Sequence, residues 1–231
     1  AQQVLEYFPM KRFLGAILVS AALFSAPASG KTSDASWAPS PGDVIEFDVL
    51  RKGEPFGSHS VKFGQDSQGR LTATTDVNLK AGLGPITVFK YELDATEVWE
   101  DGQLVSLTGQ VDDDGDEGSV KAARSGDGLE VEGTEYDGVV AGSIVPSSHW
   151  NLAATNSSKL LSTGNGEILE VTVSEQGNET IRVAGEEIET TRDLMDSDID
   201  VMLWYDQAGR WMKLAFEARG QDIEYVLAKP Y

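Results

Sequence analysis

TEVWEDGQLVSL, residues 96–107, sets an Asp-Gly pair between two runs in which apolar and polar residues alternate. Asp101-Gly102 suits a two-residue turn with positive φ at both positions, and that turn matches the right-handed twist of paired antiparallel strands. The alternation on either side sends successive side chains to opposite faces. The stretch reads as a β-hairpin, and its neighbours follow the same rule.

From residue 43 to residue 228 the alternating runs continue, broken roughly every 8–12 residues by Gly, Asp or Asn, which is the pattern of an antiparallel all-β protein. It predicts a β-barrel, β-roll or sandwich of roughly 11–13 strands. Helical periodicity is nearly absent. The alternation lapses over residues 137–166, where IVPSSHWNLAA (residues 144–154) offers Ser caps after a Pro and then a short run able to form one or two helical turns. One short helical segment is expected near residues 147–154. Such a stretch in a β protein either closes one end of a barrel or lines its mouth.

A second hairpin is legible in VMLWYDQAGRWMKLAF, residues 201–216. Asp206 stands where a type I turn favours it, and Gly209 where the chain must turn left-handed before a G1 bulge. Strict alternation in the outgoing strand groups Met212, Leu214, Phe216 and Ala218 on one face and Trp211, Lys213, Glu217 and Arg219 on the other. Trp211 is then the aromatic on a polar face, while Trp204 is expected to pack. The Trp-x-Asp hairpins at residues 99–101 and 204–206 suggest a faint internal repeat, although hairpins share turn chemistry by necessity.

The chain of 231 residues carries 18 Lys and Arg against 38 Asp and Glu, a formal charge of −20. A surface of that sign repels phosphate backbones and anionic lipid heads, so nucleic acid is not an expected partner. No Cys is present, which removes disulfides and thiol chemistry from consideration. Lys11 and Arg12 precede an apolar run over residues 13–24 and then Ala26-Pro27-Ala28, the order of a secretory signal peptide. That run is shorter than the ~20 residues needed to cross a bilayer, and no second apolar run follows it. The reading is therefore an upstream extension (1–9), a signal peptide (10–28), a flexible lead (29–42) and one β-rich domain (43–231), exported to the periplasm or beyond after cleavage near Ala28.

Chemical motifs are sparse. The two histidines, His59 and His149, cannot supply a three-His zinc site, and no His-Glu-x-x-His or Gly-x-Ser-x-Gly sequence occurs. The acidic runs at residues 112–117 and 196–200 fail the spacing of a calcium loop. No Gly-rich phosphate loop precedes a helix. Neither a cofactor nor a metal is expected, and no catalytic residue is assigned. The candidates that remain are ligand-binding ones: His149, Trp150, Tyr205, Trp211 and His59. His59 alternates in phase with Val61 and Phe63, which turns it inward. His149 and Trp150 lie in the irregular segment. Aromatic residues with a few polar partners are the usual lining of a small-molecule pocket.

Taken together, Gly57-x-His59, Glu97-Val98-Trp99-x-Asp101-Gly102-x-Leu104, Pro146-Ser147-Ser148-His149-Trp150-Asn151, Leu203-Trp204-Tyr205-Asp206 with Gly209-Arg210-Trp211, and Gly220-x-Asp222-Ile223-Glu224-Tyr225 resemble an uncharacterised family of exported bacterial β-rich proteins, a domain of unknown function. The resemblance covers nearly all of the chain after the signal peptide. It implies a single secreted β domain and attaches no activity.

Three readings of function stand at this point. The first is a non-enzymatic periplasmic β domain that binds a small apolar or amphiphilic molecule, with the Trp150 segment at its mouth. The second is an interaction or envelope-assembly module that meets a protein partner. The third is a hydrolase with His149 as base, which would require a Ser or acid within hydrogen-bond reach of it. The first needs a hollow interior, and alternation alone does not separate a hollow barrel from a filled one.

Overall fold

In a computed structural model of the chain, residues 37–83, 86–229 and 231 are described. The expected signal peptide and upstream extension lie outside these residues. Eight strands come first: β1 (Val44–Arg51), β2 (Glu54–Gln65), β3 (Leu71–Leu83), β4 (Ile86–Glu100), β5 (Gln103–Asp113), β6 (Asp116–Ser125), β7 (Gly128–Gly133) and β8 (Asp137–Ala141). A segment of short elements follows, with β9 (Val145–Pro146), a 3-10 turn (Leu152–Asn156), β10 (Lys159–Leu161) and β11 (Ile168–Glu170). Five more strands complete the chain: β12 (Thr172–Val183), β13 (Glu186–Asp196), β14 (Val201–Asp206), β15 (Trp211–Ala218) and β16 (Gln221–Leu227).

Thirteen of these strands form one antiparallel sheet in the order β12-β13-β14-β15-β16-β1-β2-β3-β4-β5-β6-β7-β8. Every neighbour pair except β16-β1 is consecutive in sequence, so the sheet is two meanders joined where the last strand pairs with the first. Strands β11, β10 and β9 make a separate small sheet. The one 3-10 turn among the described residues starts at Leu152, a few residues later than its expected place. Asn151 caps it by accepting a hydrogen bond from the Ala153 N–H at 3.0 Å, and Pro146 is drawn into β9.

The turn chemistry explains the meander. Asp101 and Gly102 take φ of 50° and 75°, the expected type I′ geometry. The Asp206 hairpin closes with its carbonyl accepting from Gly209 N–H at 2.9 Å, while Oδ1 accepts from Ala208 and Arg210 N–H and Oδ2 from Arg210 Nε. Asp66-Ser67-Gln68-Gly69-Arg70 builds the same loop with the same bonds. The two share the spelling Asp-x-x-Gly-Arg.

The sheet curls strongly. Arg219, just past the end of β15, donates from Nη2 to Asp113 Oδ2 at 3.1 Å, at the end of β5. Those strands are six steps apart in the sheet, which in a flat sheet would be about 29 Å at ~4.8 Å per step. Curling brings their ends together, so one face becomes an interior. Ile45, Phe47, Val49, Val61, Phe63 and Ala73 are buried on that side with the inward phase of every strand. Strands β8 and β12 end the sheet without pairing to each other, so the wall is a curled sheet and not a hydrogen-bonded cylinder.

One expectation is corrected here. Trp211 does not sit on a polar face. It is fully buried, with its ring 4.4 Å from Phe47 and 5.3 Å from His59 between centroids. The register shows why: Trp204 pairs with Lys213 but Tyr205 pairs with Trp211, leaving Met212 as an extra residue on β15. That bulge inverts the inside-outside phase before Lys213. Trp204 stays on the opposite face from Leu203 and Tyr205, under the Lys213 ammonium and donating to Glu179 Oε2 at 3.0 Å. Trp37, within the stretch read as a flexible lead, packs edge-on against Phe63 and Tyr231 and donates its backbone N–H to Ala208 O.

The segment from residue 142 to residue 171 lies against the concave face. At Gly109 on β5 a β-carbon would stand 1.8 Å from the carbonyl oxygen of Thr163. Only a glycine permits that backbone approach. Two outcomes follow for urea denaturation. Trp211→Ala should cost ~3–5 kcal/mol as a large ring removed from the core. Gly109→Ala should cost ~1–3 kcal/mol or more by forcing residues 159–166 off the sheet, and it should open that segment to proteolysis.

Candidate ligand-binding site

The interior is hollow. The inward faces of β2, β3, β4, β5, β14, β15 and β16, with β10 and β11 over part of them, line a cavity of about 1000 Å³ that opens to solvent. Its wall is mostly apolar, with Phe56, Leu79, Leu93, Leu160, Leu214 and Phe216 representative of it. Phe56 reaches the wall because the register shifts between Val49 and Leu50, turning it inward three residues before His59. That volume is at the upper end of the ~300–1,000 Å³ range of small-molecule pockets.

Charged groups collect at one rim. Arg51 and Arg219 stand over the rings of Phe56 and Phe89 at 5.2 and 5.5 Å, and the two rings stack at 5.7 Å. Asp113 pairs with Arg219 there. Over the whole lining, four carboxylates (Asp113, Glu167, Asp198 and Glu217) face these two guanidinium groups.

Deeper in, the polarity changes character. His59 pairs with Phe47, four residues from Arg51 along β1, or roughly 13 Å inward at ~3.3 Å per residue. Both nitrogens of His59 are buried without a hydrogen-bond partner, and so is Nδ1 of His149. The two rings lie against Trp211, at 5.3 and 6.0 Å between centroids, and both line the cavity. Burial pushes the His59 imidazole down to about 3, assisted by His149, and the His149 imidazole down to about 4. Both are neutral at physiological pH. Burial raises the Tyr225 and Tyr91 phenols, the latter to about 12.

His149 is held there by force. Its φ is +61°, a left-handed conformation uncommon for a side-chain-bearing residue, and its carbonyl accepts the Tyr205 hydroxyl at 2.7 Å. Tyr205 thus positions His149 without reaching the cavity. Of the five sequence candidates, His59 and His149 line the cavity. Trp150, Tyr205 and Trp211 are buried in the wall behind it. His149 Nδ1 has no hydroxyl or carboxylate partner.

A buried carboxyl escaped the sequence reading. Glu97 is 0 % exposed, and its Oε2 accepts from Trp99 Nε1 at 2.7 Å and Trp150 Nε1 at 3.1 Å. Trp150 also packs edge-on against Trp99 and Phe63. Burial pushes the Glu97 carboxyl up to about 7, against the pull of the Ser148 hydroxyl and the two indole N–H groups. The signal was present: in Leu93, Ala95, Glu97 and Trp99, Glu97 occupies the apolar phase of β4.

Residues 47–228 match the family described as Domain of unknown function (DUF6134). The chain belongs to that family. The DUF6134 match spans all the strands of the main sheet except the first residues of β1. No curated protein matches the chain. Among solved structures, the DUF6134 chain is similar to a crystal structure of a β-barrel-like protein of domain of unknown function DUF1849 from Brucella abortus. The TM-score is 0.56 at 9% identity, over 80% of this chain and 95% of that one. At that identity the likeness concerns the fold.

Glu97 generates a prediction of definite sign. Below the ordinary carboxyl pKa of 4.5 both folded and unfolded chains hold the proton. Between 4.5 and about 7 the unfolded chain ionises first, so the ionisation penalty grows with pH and is constant above it. Glu97→Gln lacks this penalty, and both proteins share the titration of the histidines. The stability of the variant relative to wild type should therefore rise between about pH 4.5 and 7.5 in paired urea melts. A fall would show that the indole N–H groups stabilise the carboxylate more than burial disfavours it.

Proposed function

We propose that this protein is an exported, non-enzymatic binding domain whose curled sheet holds a small apolar or amphiphilic molecule. The observation that carries the reading is the apolar cavity of about 1000 Å³ inside the sheet. The side chains lining an apolar space of that size make fewer packing contacts than those of an ordinary β core. A guest would restore them. Export rests on the Lys11 to Ala28 pattern of the sequence, outside the described residues. Among the described residues no helix is long and apolar enough to cross a membrane.

The interaction-module reading draws less support. The large apolar side chains exposed among the described residues are Val88, Val139, Ile199 and Val226, one each on β4, β8, the β13–β14 turn and β16. Scattered single residues of this kind are ordinary on a soluble surface.

Native mass spectrometry on protein purified from its own cell envelope checks the proposal. The expected result is a stoichiometric adduct that extracts into organic solvent. Leu79→Trp, which puts an indole into the cavity wall, should lose the adduct while retaining the fold by circular dichroism. A clean apo mass from gently isolated wild-type protein would overturn the reading.

A further inference from the structure

The cavity wall is apolar except at two places, and the deep one is unusual. Three buried imidazole nitrogens there have no partner: both of His59 and Nδ1 of His149. Each buried polar group left unsatisfied costs ~1–3 kcal/mol, and native proteins carry few of them. A Leu or Phe at residue 59 would fill the same inward position of β2 without that cost. The chain also accepts a left-handed backbone at His149 and ties its carbonyl to the Tyr205 hydroxyl, which fixes where that imidazole points. Strain and unsatisfied polarity coincide at the inner wall of an apolar cavity.

The chemistry of the pair restricts the guest. A neutral imidazole offers one N–H donor and one acceptor nitrogen, so the pair presents donors and acceptors but no charge to a guest. A carboxylate or phosphate would bring an uncompensated charge into an apolar site. The guanidinium groups that could neutralise it, Arg51 and Arg219, are at the rim, where Asp113 already engages Arg219. The lining as a whole carries more carboxylates than guanidinium groups. An anionic head is disfavoured at both ends.

We propose that His59 and His149 bind an uncharged hydrogen-bonding group, a hydroxyl in the simplest case, carried at the inner end of an otherwise apolar ligand. The inference rests on the cavity reading above and adds the polar chemistry of the guest. Tyr205 acts as a positioning residue through the His149 carbonyl.

The test compares three probes of equal chain length, 1-octanol, octanoate and octane, by titration against the full chain at about pH 8, where free imidazole is neutral. Tryptophan fluorescence reports occupancy, because Trp211 touches both histidines. The expected order is 1-octanol tightest, with an advantage of about tenfold over octane and more over octanoate. His59→Leu should bring 1-octanol and octane to near parity and leave octane binding intact. If His59→Leu fails to fold, ring-nitrogen NMR of wild-type protein decides the point. The His59 and His149 resonances should move with 1-octanol and stay still with octane. Binding of all three probes with equal affinity, tighter binding of octanoate, or unmoved histidine resonances would overturn this inference and leave the cavity reading standing. Failure of every probe to bind would overturn both.

Discussion

Trp150 is the peg on which the interior depends. Its ring is driven between Phe63 and Trp99, and its N–H shares one oxygen of the buried Glu97 with the N–H of Trp99. A carboxyl taken out of water is costly unless its lone pairs are met, and two indole donors meet one of its oxygens. The bond lies between a strand of the wall and the segment that crosses the concave face. Fixing Trp150 fixes its neighbour His149, and through residues 159–166 it seats the small sheet that lies over part of the cavity. The Gly109 contact with Thr163 is the second fastening, made with backbone alone.

These fastenings explain why the interior is hollow. Thirteen strands curl around more space than their own inward side chains fill. The segment between β8 and β12 occupies part of it, against β5 and β6, where Gly109, Gly118 and Gly164 leave room for close approach. The part under β2, β3, β15 and β16 stays open. The bulges place the wall at that point, one bringing Phe56 inward and the other bringing Trp211 inward. Without the second bulge, Trp211 would point away from the histidines and the deep end would lose its backing.

Much of this was legible in the residues. Alternation and the Asp-Gly and Asp-x-x-Gly-Arg turns determine strand, turn and face over most of the sheet, because a period of two has a direct structural meaning. His59 was readable as inward for the same reason. Trp211 was not, since one extra residue against the partner strand inverts the phase and no local spelling announces it. Glu97 was readable as an acid in an apolar phase, but its partner Trp150 is 53 residues away. The cavity itself was not legible, because an inward Leu has the same pattern whether it meets another side chain or empty space.

The two histidines bear on which kind of interior this is. A wall meant only to be buried would be more stable with apolar residues there, since both nitrogens of His59 and Nδ1 of His149 gain no hydrogen bond to offset lost hydration. Protonation would not relieve them, because burial holds both imidazoles well below their ordinary range. The left-handed backbone at His149 adds a further cost at the same place. A left-handed backbone and three unsatisfied ring nitrogens at one wall of the cavity mark a local departure from the rule that each choice serves the fold. A guest that fills the apolar space and completes the imidazole hydrogen bonds removes both deficits together, and binding linkage would return that gain as stability of the folded chain.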